Sequence, residues 1–492
     1  MFESAEIGHK LDKATYTREL AKLREALLNA QYDLAVAKKF PVIILLGGVD
    51  GAGRGEIVSH LNEWMDPRHI QVNGMGEPTD EECQRPRMWR YWRALPPKGK
   101  IGIFLGSWYT GPFLQWVFKE TNDEALSQAL DETVRFEKML ADEGALIIKF
   151  WMHLSKEQQK TRLKTLEKDP RTRWRVSKRD WQHFKLYDRF RRCAERSLRH
   201  TSTAEAPWTI VDGSDERYRS LQVGQVILAA MRKRLDEKDA KRATVSAPVL
   251  AGSVDQRNIL QSLKLDQVLN KKDYDKQLEK YQEKLAQLVR EAKFQKRSVI
   301  AVFEGNDAAG KGGAVRRITG ALDPRRYAVT PVAAPTEEER AQPYLWRFWR
   351  HIPLKGRVLI FDRSWYGRVL VERVEKYCSE ADWMRAYSEI NDFEAELAEA
   401  GYIMMKFWLT ISKEEQHRRF KEREKVAFKR FKITEEDWRN RKQWDAYESA
   451  VCDMVDRTST DISPWTLVEA NNKDYARIKI LKTFCERIER AL

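Results

Sequence analysis

Ser298-Val299-Ile300-Ala301-Val302-Phe303-Glu304-Gly305-Asn306-Asp307-Ala308-Ala309-Gly310-Lys311-Gly312-Gly313 reads as strand and loop in immediate succession. The apolar run to Phe303 predicts a buried strand, and the region Val315 to Ile318 reads as the start of a helix. Between them Gly305-x-x-x-x-Gly310-Lys311 has the Walker A spacing, in which backbone N–H groups and a lysine wrap phosphate oxygens. Two features depart from that pattern. The Ser or Thr that usually follows the lysine and holds Mg²⁺ is Gly312, and a carboxylate, Asp307, sits inside the loop. An anion there repels phosphate unless a metal or a separate task keeps it, so the loop is not built for an ordinary nucleoside triphosphate.

The loop occurs twice. Asp50 precedes Asp307 by 257 positions, and the same offset relates Trp89-Arg90-Tyr91-Trp92-Arg93 to Trp346-Arg347-Phe348-Trp349-Arg350, Ser107-Trp108-Tyr109 to Ser364-Trp365-Tyr366, and Pro207-Trp208-Thr209 to Pro464-Trp465-Thr466. An ungapped match over most of each half is a duplicated domain. The expected layout is an N-terminal domain over 1–235, a linker over 236–254 rich in Lys, Ala, Ser, Gly and Pro, and a C-terminal domain over 255–492. Two such copies could pair as a pseudo-dimer within one chain. Each copy opens with an amphipathic helix and then alternates strands with helical patterns. In the second copy the further strands are expected at Tyr327 to Val332, Val358 to Phe361, Ile403 to Leu409 and Trp465 to Glu469. That order predicts an α/β fold: two tandem P-loop kinase-like domains, each a parallel sheet flanked by helices. The basic segment around Lys413 to Lys432, with few compensating acids, is expected to form a helical lid over the phosphates.

Composition narrows the class. The chain has 492 residues, of which 42% are hydrophobic and 33% charged, enough for two cored domains. Its net charge of +15 calls for an anionic partner. Five scattered cysteines, none in a C-x-x-C pair, argue against a disulfide framework or zinc site and for a reducing compartment. No run approaches the ~20 apolar residues that span a bilayer, and the N-terminal residues lack a basic and apolar leader pattern. A cytoplasmic protein without membrane partners is expected.

Each copy serves as a control for the other. The second strand of the second copy ends Phe361-Asp362-Arg363-Ser364, where Asp362 takes the Walker B place for Mg²⁺ and Arg363 could balance charge on a moving phosphoryl group. The first copy reads Phe104-Leu105-Gly106-Ser107, so both charges are gone. Lys311 corresponds to Arg54, Arg368 and Arg373 to Gly111 and Trp116, and Arg423 and Lys429 to Leu166 and Thr172. The chemistry therefore belongs to the second copy. The Trp/Arg segment persists in both, which favours packing or a contact between copies over base stacking.

Together these motifs resemble the catalytic domain of polyphosphate kinase family 2, and the duplicated layout resembles its tandem-domain branch, whose members use AMP as acceptor. The resemblance covers nearly the whole chain and rests on Gly305 to Gly312, Phe361 to Tyr366 and the basic lid. It implies phosphoryl transfer from inorganic polyphosphate to AMP, giving ADP, with Mg²⁺ or Mn²⁺ as cofactor. Asp307 would orient the acceptor phosphate oxygen and share the metal with Asp362. Lys311 and the loop residues Gly305, Asn306, Ala308, Ala309, Gly310 and Gly312 would bind phosphates, with Arg363 at the transfer point and Arg368, Arg373, Arg423 and Lys429 as further substrate-binding candidates. The residues alone leave open a nucleoside diphosphate as acceptor, and a P-loop kinase that uses ATP. A nucleic-acid partner is not expected, because no nucleic-acid motif is present.

Overall fold

The computed structural model describes residues 1–237, 258–426 and 435–492; positions 238–254 of the expected linker lie outside them. The described residues form two compact units. One holds 1–78, 90–237 and 336–347, and the other 79–89, 258–335, 348–426 and 435–492. The division near residue 240 is thus crossed by two short segments. Within the first unit, Gln342 Nε2 donates to Leu95 O at 3.1 Å and Ala341 O accepts from Lys98 N at 2.9 Å. Within the second, Arg85 Nε donates to Ile352 O at 3.0 Å and Met88 N to Glu396 Oε1 at 3.1 Å.

Each unit is built on a five-stranded parallel sheet. The first contains β1 (Val42–Gly48), β2 (Ile70–Gly74), β3 (Ile101–Leu105), β4 (Leu146–His153) and β5 (Trp208–Asp212), in the order β2-β3-β1-β4-β5. The second contains β6 (Ser298–Gly305), β7 (Tyr327–Pro331), β8 (Val358–Asp362), β9 (Tyr402–Thr410) and β10 (Trp465–Glu469), in the order β10-β9-β6-β8-β7. The phosphate-loop strand is central in both. Residues of β6 and β9 are buried on both faces, which is why their sequences read as unbroken apolar runs.

In the second unit, Val299, Ala301 and Phe303 face a core shared with Leu285 and Leu288 of helix Lys271–Leu288 and with Ile480, Leu481 and Phe484 of helix Lys473–Ala491. The opposite face of β9 carries Lys406, whose side chain is fully buried against Glu394 of helix Glu380–Glu399 at 2.7 Å. Lys406 also donates to Thr458 O at 2.6 Å and to Tyr366 Oη at 2.9 Å. Glu394 in turn accepts from Trp365 Nε1 at 3.0 Å and Tyr366 Oη at 2.7 Å. The first unit repeats the cluster with Lys149, Glu137, Trp108, Tyr109 and Thr201. The Trp/Arg segment packs as expected: Phe348 meets Phe361 and Trp365 edge-on, and Trp349 meets Phe393.

Replacing Lys406 with Met should leave Glu394 as an unpaired buried charge, costing about 3–5 kcal/mol. Thermal or denaturant unfolding of the full chain checks this. A loss below about 1 kcal/mol would mean that Glu394 takes up a proton in place of its partner.

Candidate active site

The helix after the loop begins at Lys311, four residues ahead of the expected Val315. Gly310 caps it with a left-handed φ of 111°, a conformation that costs glycine nothing and lets the lysine enter the first turn directly. A Cβ at Gly305 would lie 2.5 Å from Leu409 O, so the first loop glycine is required by the neighbouring strand. At Gly312 a Cβ would meet open space. The loop has room for the missing Ser or Thr, and its absence is a matter of chemistry.

β6 and β8 pair in parallel with Phe303 opposite Asp362, which sets the Asp362-Arg363 pair beside the start of the loop. Arg363 Nη2 reaches Asp307 Oδ1 at 3.3 Å, and Asn440 Nδ2 donates to Asp307 Oδ2 at 3.0 Å. Lys311 Nζ donates to Gly305 O at 2.7 Å. Asn306 ties the loop to β9, its Oδ1 accepting from Ile411 N at 3.1 Å. The half-buried Asp362 carboxylate has no hydrogen bond or ion pair among the described residues. Asp307, Lys311, Arg363 and Asn440 open on a cavity of about 280 Å³ whose wall adds Leu260, Leu370, Trp408, Trp444 and Tyr447; Asp362 stands next to it, one residue before Arg363, and does not line it. A charged rim over an apolar wall suits a ligand with a phosphate at one end and a ring system at the other.

A profile of the family described as polyphosphate kinase 2 matches residues 10–239 and again 268–492. The chain belongs to the polyphosphate kinase 2 family. It is 58% identical over 492 residues to a polyphosphate:AMP phosphotransferase of Pseudomonas aeruginosa, covering all of this chain and 99% of that one. A polyphosphate:AMP phosphotransferase of Acinetobacter johnsonii is 37% identical over 483 residues, 97% of each chain. The crystal structure of a putative polyphosphate kinase 2 from Pseudomonas aeruginosa PA01 superposes with a TM-score of 0.90 at 55% identity, over 100% of this chain and 99% of that one.

Several residues around the loop escaped the sequence reading. Glu304 is buried, accepts from Ser364 Oγ at 2.8 Å, and lies near Lys311 and Arg363. Burial pushes its carboxyl above the usual range; Lys311 and the Ser364 hydrogen bond oppose the shift without cancelling it. Its counterpart is Gly47, so the comparison between copies did contain the signal. Arg419 is also buried, donating to Ala308 O and Ala309 O at 2.9 and 3.0 Å and to Ala470 O and Asn471 O at 2.7 and 2.8 Å. It clamps the loop from beneath. Gln416 Nε2 adds a bond to Asp307 O at 3.2 Å.

Other expected residues lie elsewhere. Arg373 is committed to Asp453 at 2.7 Å and Tyr387 at 3.0 Å, stacked 4.3 Å over Trp383. Arg368 pairs with Glu372 at 2.7 Å. Arg423 lies in the last turn of helix Lys413–Lys425, and neither it nor Arg368 nor Arg373 lines the cavity. Lys429 falls outside the described residues. The basic helix is also less bare of acids than expected: Arg418 pairs with Glu415 and Glu422, and Lys421 with Glu424.

The first unit fills its own loop with charge. Asp50 is held by Arg54 at 2.8 Å and His183 at 2.7 Å. Glu56, where the second copy has Gly313, gathers Arg162, Arg175 and Arg219. Arg219 is buried and donates to Gly213 O at 3.0 Å, as Arg419 does to the equivalent Ala470. A cavity of about 270 Å³ remains, but the cations that ring its loop already have carboxylate partners.

Two outcomes are expected. Burial raises the Asp50 carboxyl, but His183 and Arg54 outweigh it and hold it below its ordinary value of 3.8. Its contribution to stability is therefore present above that pH and lost as pH falls through the depressed folded value. Asp50→Asn should lower the unfolding temperature at neutral pH, converge with wild type in strong acid, and leave turnover unchanged. Separately, Arg363 has a left-handed φ of 64°, where its counterpart is Gly106 at 84°. Arg363→Gly should stabilise the fold by about 1 kcal/mol while lowering activity by about 100-fold or more, read by thermal unfolding and initial rates.

Proposed function

We propose that the second unit transfers the terminal phosphoryl group of inorganic polyphosphate to AMP, giving ADP. The observation that carries this is the gathering of Asp307, Lys311 and Arg363 at one cavity, with Asp362 next to Arg363 at the end of β8, in a chain that matches polyphosphate:AMP phosphotransferases over nearly its full length. An oxygen of the AMP phosphate attacks the terminal phosphorus of the chain, and the bond from that phosphorus to the bridging oxygen breaks. Charge migrates from the acceptor to the shortened polyphosphate. Catalysis of such a transfer is chiefly positioning and electrostatics.

Lys311 and the N–H groups at the start of its helix hold the transferring phosphate. Arg363 shares its guanidinium between Asp307 and the charge that develops on the equatorial oxygens. Asp307, fixed by Asn440 and Arg363, orients the acceptor oxygen and keeps a second phosphate from collapsing onto the first. Asp362 fits a hard divalent cation such as Mg²⁺, with Asp307 as a second oxygen donor. No group of three or more potential protein ligands is present among the described residues, and Mg²⁺ is commonly held by one or two carboxylates with waters and substrate phosphates. When bound, it would neutralise phosphate charge. The scattered, unpaired cysteines support a reducing, cytoplasmic setting, and no helix among the described residues is long and apolar enough to cross a membrane.

Purified protein given Mg²⁺, long-chain polyphosphate and AMP should form ADP, and Asp362→Ala should reduce the rate by about 1,000-fold or more. Raising the salt concentration should raise KM for polyphosphate more than KM for AMP. ADP formation that requires ATP and ignores polyphosphate would overturn the reading; phosphorylation of ADP in preference to AMP would move the acceptor to a nucleoside diphosphate.

A further inference from the structure

A basic cavity lies at the other end of the second sheet. It encloses about 590 Å³, and its wall includes Arg290, Asp323, Arg325, Arg326, Lys355 and Arg357. Each stands just ahead of a strand: Arg290 before β6, the Asp323–Arg326 turn before β7, and Lys355 and Arg357 before β8. The phosphate loop leaves the opposite end of β6. That strand has eight residues, so the two ends are about 26 Å apart at ~3.3 Å per residue.

Among the described residues, most of the positive charge in this cavity has no carboxylate partner. Asp323, its one lining acid, is occupied by Arg325 through bonds of 2.7 and 3.1 Å, which hold its carboxyl far below the usual range. Among the described residues no carboxylate pairs with Arg290, Arg326, Lys355 or Arg357. Lys355 is half-buried against Tyr402, and burial, with Arg297 beside it, pushes its ammonium down to about 8. The first copy is weaker here: Arg290 is matched by Asp33, which is paired with Arg232 at 2.5 Å, and Arg326 by His69. Several cations gathered in a concavity without counter-charge concentrate anions from solution.

We propose that this cavity is a second anchoring site for the polyphosphate donor, holding the part of a long chain that lies away from its reacting end. It rests on polyphosphate being the donor. A chain long enough to occupy both places gains effective concentration at the loop, and a short oligophosphate cannot.

The test is the triple variant Arg290→Ala/Arg326→Ala/Arg357→Ala in the full chain, with Lys at the same three positions as a charge-preserving control. All three side chains are exposed, so the fold should tolerate both. Binding of long-chain polyphosphate, measured without AMP at low salt, should weaken roughly tenfold in the Ala variant and recover in the Lys variant. KM for tripolyphosphate, KM for AMP and kcat should not change. Unchanged affinity for the long chain, or an equal loss for tripolyphosphate, would sink the proposal. So would a loss confined to single-stranded RNA run in parallel. Wild-type protein that binds long-chain polyphosphate but forms no ADP would refute the acceptor reading and leave this one standing.

Discussion

The buried Lys406–Glu394 pair is the constraint on which the site depends. One ammonium and one carboxylate, both shut away from water, are tolerable only when every remaining hydrogen-bonding position is filled. The Tyr366 hydroxyl, the Trp365 indole and the Thr458 carbonyl fill them. The pair thereby ties the central part of β9 to a flanking helix and to the turn after β8. That turn begins at Arg363, so the electrostatic cluster beneath it sets where the guanidinium leaves the sheet. The first unit keeps the same cluster around Lys149 and Glu137 although it has lost Asp362 and Arg363. Its role is therefore in the scaffold, and Asp362 and Arg363 stand on a frame that does not need them.

Once those charges go, the loop must be neutralised in another way. A phosphate loop without phosphate is a ring of N–H donors and cations around an empty concavity. In the second unit Arg419 holds the loop through its carbonyls while pairing with Glu415 of its own helix, and Lys311 makes its hydrogen bond to Gly305 O. In the first, Glu56 supplies an internal anion, and Arg219, from a different helix, reaches the carbonyl that Arg419 holds in its counterpart. The two loops share left-handed positions and differ in the side chains that surround them. The first loop adds Glu56 and three arginines around it, where the second has Gly313.

The fold was legible because it rests on local signals. Unbroken apolar runs, glycines at a fixed spacing and an exact repeat offset are all properties of short windows. The charges at the strand end were legible for a related reason: the second copy carries Asp362 and Arg363 where the first has Leu105 and Gly106. What the sequence hid is long-range. Arg419 looked like one more cation of a lid helix, because nothing in its window shows that its guanidinium turns inward to four carbonyls. Arg373 differed between copies as a binding residue should, yet Asp453 and Tyr387 hold it. Asn440 is 133 residues from Asp307. Its counterpart His183 makes the equivalent bond to Asp50, so chemistry is preserved through a change of residue type that a search for identity passes over.

Backbone strain separates the two copies in the same direction as charge. Ala308 and Arg363 both occupy the left-handed region, at φ of 65° and 64°, and their counterparts Gly51 and Gly106 occupy it too, at 84° each. The backbone path is common to both copies, so the path itself cannot be what distinguishes them. What differs is that the second copy accepts side chains at positions where each costs about 1 kcal/mol or more. At Arg363 the return is a guanidinium at the strand end, held by its own N–H to Phe303 O at 3.0 Å. At Ala308 no charge is gained, but a methyl group is buried at the loop and the chain beneath it is less free before folding. The first copy has no arginine at this place, and glycine is the residue that removes the strain without moving the chain.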